Sequence, residues 1–133
     1  MELYRESWLD GDRGRQANVS FSRRGVIRGL HFHERGQSDL FVCLQGTARV
    51  VLLDLGSGKT FTADIGDDNP AAVYIPGGLA HGYEALTDIL FYYQVTREYD
   101  AADPDEHNVP WDDPRVVDLW STQSPILSAR DAS

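Results

Sequence analysis

The chain has 133 residues, of which 41% are hydrophobic and 25% charged, a balance that fits one globular domain. The formal net charge of −9 excludes a broad nucleic-acid-binding face, and no apolar run approaches the roughly 18–20 residues of a membrane span. The first six residues, Met1-Glu2-Leu3-Tyr4-Arg5-Glu6, have neither the basic nor the apolar region of a signal peptide, so the expectation is a cytoplasmic protein.

Taken along the chain, short β-type runs alternate with turn signals. Strands are expected over residues 17–22, 26–33, 39–44, 47–55, 59–65, 72–75 and 89–96. Gln45-Gly46, Leu55-Gly56-Ser57-Gly58 and Pro76-Gly77-Gly78 read as turns. Only residues 103–107 and 113–120 look helical. Many short strands and few helices predict an all-β fold, a cupin or jelly-roll β-barrel over residues 1–133. Its core spans about 15–100, and an irregular or helical C-terminal tail over 101–133 either wraps the barrel or frays. The single Cys43 cannot form an internal disulfide and reads as a buried thiol.

Four groups of residues stand out. In Arg28-Gly29-Leu30-His31-Phe32-His33, strand alternation puts His31 and His33 on one face. Arg28 reaches that face only if Gly29 marks a bulge. The bland alternative is a pair of surface or hydrogen-bonded histidines. In Ile75-Pro76-Gly77-Gly78-Leu79-Ala80-His81-Gly82, a turn delivers His81 to the start of the next strand, where a barrel rim meets its lumen. In Phe91-Tyr92-Tyr93, Tyr93 falls on an apolar face where its hydroxyl needs a partner, either a functional group or a backbone carbonyl. The fourth, Leu127-Ser128-Ala129-Arg130-Asp131, is by itself an ordinary tail.

Together these segments resemble the dTDP-4-dehydrorhamnose 3,5-epimerase family, in order and over nearly the whole chain. Gln16-x-Asn18-x-Ser20-x-Ser22 leads into Gly25-Val26-Ile27-Arg28-Gly29-Leu30-His31-Phe32; the family's "IPxGxAHGF" falls on residues 75–83 and its "WNDP" on Trp111-Asp112-Asp113-Pro114. Phe91-Tyr92-Tyr93 matches the strand of the catalytic tyrosine, and Leu127-Ser128-Ala129-Arg130-Asp131 matches the closing "LSxKD". The resemblance implies a nucleotide-linked 4-keto-6-deoxy sugar as substrate and no cofactor; a homodimer is expected because small cupins often bury sheet edges between subunits. It implies that His31 is the base that removes a proton beside the ketone, with Asp131 orienting it, and that Tyr93 is the acid on the opposite face. It further implies that Arg28, His81, Gln16, Asn18 and Arg130 bind substrate. Proton transfer of this kind typically contributes about 10²–10⁴-fold.

Three positions depart from the family pattern. The N-terminal "DxRGxF" motif, which helps bind nucleotide, is not found in this sequence. The lysine of "QGKL", an enolate stabiliser, is replaced in Gln37-Ser38-Asp39-Leu40. A group of that type is typically worth about 2.7–4 kcal/mol. His33 stands where the family has glutamine. The last two changes also fit the metal set of the wider cupin superfamily, with His31, His33, Asp39 and His81 as ligands for a divalent transition metal. Without a metal, Asp39 is expected to point outward or to pair with Arg28. Two alternatives to the epimerase reading follow: a metal-dependent cupin enzyme of another class (dioxygenase, decarboxylase or lyase), and a non-catalytic sugar-binding cupin.

Overall fold

The computed structural model describes residues 2–9 and 11–132. Nine strands form two antiparallel sheets. They are β1 (Gln16–Ser22), β2 (Ile27–Phe32), β3 (Asp39–Gln45), β4 (Thr47–Leu53), β5 (Thr60–Gly66), β6 (Ala72–Ile75), β7 (Ala80–Ala85), β8 (Ile89–Val95) and β9 (His107–Asn108). One sheet has the order β1-β8-β3-β6 and the other β5-β4-β7-β2-β9. The sheets face each other in the jelly-roll manner. Single 3₁₀ turns occur at Glu6–Leu9 and Val117–Leu119, and one short helix, α1, at Ala129–Ala132. No described helix is long and apolar enough to cross a membrane.

The expected strands all form, with ends shifted by one or two residues, and β7 and the two-residue β9 complete the sheets. β4, Thr-Ala-Arg-Val-Val-Leu-Leu, is apolar at successive positions because it is covered on both faces. Val50 and Leu52 point between the sheets, against Phe41, Ile65, Tyr83 and Phe91. Val51 and Leu53 point the other way, into a second cluster with Ile27, Leu30, Val109, Val116 and Trp120. That second cluster shows what the tail does: residues 109–120 wrap the outer face of the five-stranded sheet. The Trp120 indole N–H donates to the Trp111 carbonyl at 2.9 Å, so the buried ring leaves no polar atom unpaired.

Two expected helical stretches resolve differently. Residues 113–120 form a turn followed by a single 3₁₀ turn. Residues 103–107 are not helical but run into β9. There, the Asp105 carboxylate accepts hydrogen bonds from the backbone N–H groups of Glu34 (2.9 Å) and Arg35 (2.8 Å), which pins the segment to the loop after β2. Pro104 also disfavours a helical conformation at the residue before it. Cys43 is buried, and burial pushes its thiol pKa up.

Candidate active site

Two adjoining cavities open at one end of the sandwich. The inner one, about 400 Å³, is lined by Arg28, His31, His33, Asp39, His81, Tyr93 and Asp131 among others. The outer one, about 730 Å³, is lined by Gln16, Asn18, Arg15, Arg35, Arg97 and several carboxylates. Tyr93, His33, Gln37, Val95, Glu106 and Arg130 border both. Every residue expected at the site from sequence therefore lines one of these two spaces. Gln16 and Asn18 stand in the outer cavity, whereas His31 and Asp131 stand in the inner one.

The local fold explains how His31 and Arg28 come to share the inner cavity. The pairing of β2 with β7 matches Arg28 to Tyr83 and then His31 to His81, with a register shift between. The shift is a bulge at Gly29, where φ is +117°. It re-aims the strand so that residues three apart face the same space. The Arg28 guanidinium is steadied by the Ser22 hydroxyl at 2.9 Å.

His31 is held from both sides. Its Nε2 lies 2.8 Å from Asp131 Oδ1, and its Nδ1 lies 3.5 Å from Glu106 Oε1. Asp131 comes from α1, and its second oxygen accepts the backbone N–H of Gly29 at 3.2 Å. Burial pushes the Asp131 carboxyl pKa up. Its bonds to His31 and Gly29 and the charges of His31 and Arg130 outweigh this and hold it below the ordinary carboxylate value. Arg130 pairs with Glu106 at 2.6 Å. Tyr93 lies opposite Asn18 across β1 and β8, and Asn18 Nδ2 donates to the Tyr93 hydroxyl at 3.0 Å. The tyrosine's partner is thus a cavity side chain. Gln16 Nε2 donates to Asn18 Oδ1 at 3.0 Å, and Gln16 Oε1 accepts the Tyr99 N–H at 2.8 Å.

Asp39 neither points outward nor pairs with Arg28. It is buried, with Oδ2 3.3 Å from His81 Nε2 and Oδ1 3.8 Å from His33 Nε2. The physical reason is desolvation: a buried carboxylate needs partners, and two imidazoles and the Gln37 amide (3.2 Å) supply them. Burial pushes Asp39 up and His81 down. Their mutual attraction and hydrogen bond prevail, leaving Asp39 below and His81 above its ordinary value. The expected four-residue ligand set is reduced to three. His33, Asp39 and His81 have donor atoms within 4.8 Å of one another, whereas His31 is turned away to Asp131 and Glu106.

Sequence reasoning overlooked Glu106, Asp105 and Gln37. Glu106 and Asp105 lie in the Pro/Asp-rich stretch after Tyr99, where no periodicity or motif marks a cavity residue. They acquire partners only because the tail folds back over β2.

The full chain, residues 1–133, matches the family model described as dTDP-4-dehydrorhamnose 3,5-epimerase. The chain belongs to this family. The spore coat polysaccharide biosynthesis protein SpsL of Bacillus subtilis is 41% identical over 115 residues, covering 81% of this chain and 76% of that protein. The fold of this family member also matches solved structures. NovW of Streptomyces spheroides, a 4-keto-6-deoxy sugar epimerase, superposes with a TM-score of 0.87 at 32% identity, over 99% of this chain and 72% of that one. The epimerase from Legionella pneumophila in complex with dTDP-4-keto-L-rhamnose gives 0.85 at 30% identity, over 98% and 76%.

Proposed function

We propose that this chain is a nucleotide-sugar epimerase that removes and returns a proton beside the ketone of a dTDP-4-keto-6-deoxy sugar. The observation that carries the reading is the His31–Asp131 pair, 2.8 Å apart, facing the same cavity as the Tyr93 hydroxyl. The membership of the family supports it.

In this scheme Asp131, bonded to Nε2, fixes the His31 tautomer with its proton on that nitrogen. Nδ1 is then the basic atom. It takes the proton from a carbon next to the ketone, and the electron pair of the broken C–H bond moves into an enolate. The buried carboxylate steadies the resulting imidazolium. Tyr93 gives its hydroxyl proton to the opposite face of the carbon, which inverts it, and solvent restores both groups. Every proton is carried by a side chain. Arg28 and His81 are assigned to the sugar end of the substrate, and Gln16, Asn18 and Arg130 to the nucleotide end, because the latter three border the outer cavity.

The protein is proposed to work in the cytoplasm as a homodimer. β1 is an edge strand that presents Val19 and Phe21, 59% and 60% exposed, and a second copy would cover them. A monomer mass by light scattering at micromolar concentration would remove that element.

The test of the reaction is incubation with dTDP-4-keto-6-deoxyglucose in D₂O, followed by NMR of the sugar protons. Deuterium entering C3 or C5 is expected, and its position separates single from double epimerisation. If neither carbon exchanges, the proposal fails.

A further inference from the structure

We infer that His33, Asp39 and His81 form a binding site for one divalent transition-metal ion on the wall of the inner cavity. The inference does not depend on the epimerase reading: in that scheme His81 contacts the sugar, but none of the three residues carries a proton, and metal binding is measured without substrate.

The hydrogen bonds of the two imidazoles fix which nitrogen is available. His33 Nδ1 lies 2.6 Å from the Asp105 carbonyl, and His81 Nδ1 lies 3.1 Å from the Leu79 carbonyl. A carbonyl oxygen only accepts, so in each ring Nδ1 carries a hydrogen and donates it. The lone pair of each neutral ring is therefore on Nε2. Both Nε2 atoms face the Asp39 carboxylate, at 3.8 and 3.3 Å. With both rings neutral, lone pairs from two nitrogens and a carboxylate converge on one buried point; otherwise His81 Nε2 carries a proton that it shares with Asp39. Such a convergence is satisfied by protons or by a cation. Gln37 Nε2, 3.1 Å from His33 Nε2 and 3.2 Å from Asp39 Oδ1, fills part of that role.

The dimensions suit an ion. Bonds of about 2.0–2.2 Å from nitrogen and carboxylate oxygen to a tetrahedral metal set donor atoms roughly 3.3–3.5 Å apart. The three donor atoms here lie within 4.8 Å of one another, and His81 Nε2 is already 3.3 Å from Asp39 Oδ2. Small rotations of His33 and Asp39 close the rest. The outward bonds from both Nδ1 atoms to backbone carbonyls are the kind of support that fixes tautomer and ring orientation in metal-ligating histidines. The ring planes are also set by packing: His81 meets the Phe41 ring edge-on at 5.6 Å, and the two imidazoles stand 5.3 Å apart. All three residues are buried, which keeps their donor atoms largely out of bulk water.

Two histidines and one carboxylate favour Fe²⁺, Co²⁺, Ni²⁺ or Zn²⁺ over Mg²⁺ or Ca²⁺, which prefer oxygen. Three protein ligands leave coordination positions for a fourth group, as in catalytic rather than structural sites. A bound ion would supply Lewis-acid polarisation of an oxygen in the cavity.

The experiment uses the full chain after dialysis against a chelator, titrated with CoCl₂ alone. Calorimetry is expected to give one ion per chain at micromolar affinity, with visible absorption bands of protein-bound Co²⁺. Asp39→Asn and His81→Gln should each weaken binding at least about 100-fold. A variant-free reading comes from Zn²⁺ and ¹⁵N-labelled histidine: Nε2 of His33 and His81 should shift, and His31 should not. Absence of binding at about 1 mM metal overturns the inference. So does binding that survives Asp39→Asn but is lost in His107→Gln, which would place the ion on the separate group of His107, Glu34 and Asp105.

Discussion

His31 Nε2 and Asp131 Oδ1 stand 2.8 Å apart although 100 residues separate them in the chain. The pair exists only because the tail wraps the five-stranded sheet and seats α1 beside the Gly29 bulge. Both oxygens of Asp131 are used, one by the imidazole and one by the Gly29 N–H. This bidentate hold orients the carboxylate that orients the base.

Asp131→Asn preserves the shape and removes the charge. The sugar-proton exchange rate is expected to fall about 10²–10⁴-fold with KM little changed. Because the folded Asp131 pKa is depressed, its contribution to stability is present above the ordinary carboxylate value and is lost as pH falls through the folded value. The variant should therefore unfold nearly like wild type at low pH and more readily at neutral pH. Exchange within twofold of wild type would exclude Asp131 from the mechanism.

Tyr93→Phe separates the two proton transfers. With the acid gone, His31 still removes a proton and returns a deuteron from solvent to the same face. Deuterium wash-in should persist while inverted product falls about 10²–10⁴-fold. Asn18 loses its acceptor at the same time, and the Asn18–Gln16 bond should keep the side chain in place. Equal loss of exchange and inversion would show that Tyr93 is needed for the first step as well.

Much of the site was legible in the sequence, and the limits have physical causes. Strand periodicity located seven of the nine described strands but not the buried β7, and the spacing of His31 and His33 put both rings on one wall. The bulge needed to bring Arg28 to that wall was readable from Gly29, because glycine inside a strand signals close backbone approach. The environment of Asp39 was not readable. Whether a buried carboxylate meets Arg28 or two imidazoles depends on how the two sheets face each other, since β3 lies in one sheet and β2 and β7 in the other. Glu106 was hidden for a similar reason: its contact with His31 comes from tail docking, and no local pattern encodes docking. The helical expectation for 103–107 failed because the contacts of Asp105 with the loop after β2 override local propensity.

Gly29→Ala tests the bulge directly. A β-carbon there would come 2.7 Å from the His81 carbonyl oxygen and 2.8 Å from the Gly82 Cα, both backbone atoms with no room to yield. The positive φ adds strain of about 1–3 kcal/mol for any side chain. The expected outcome is a drop in the urea midpoint together with a loss of exchange, since β2 and β7 must separate and carry Arg28, His31 and His81 apart. Gly36→Ala, also at positive φ but with open space around it, is the comparison and should lose only the strain component. Similar losses in the two variants would mean that the close approach of β2 to β7 contributes nothing.

Asp113 anchors the turn that carries the tail onto the sheet. Its carboxylate accepts the Arg115 backbone N–H at 2.9 Å and the guanidinium at 2.9 and 2.8 Å, and its carbonyl accepts from Val116 and Val117. Those side-chain bonds from Arg115 lower the Asp113 pKa to about 2. A depressed carboxylate pKa stabilises the fold above the unfolded value of about 3.9, and that stabilisation is lost as pH falls through the folded value of about 2. The Arg115 side chain is exposed, so solvent screens the pair and its contribution to stability is small. Asp113→Asn should lower the urea midpoint slightly near neutral pH, and the difference from wild type should shrink as pH falls through about 2 and be gone only below it. A difference that stays constant across this range would assign the loss to the backbone of the turn rather than to its charge.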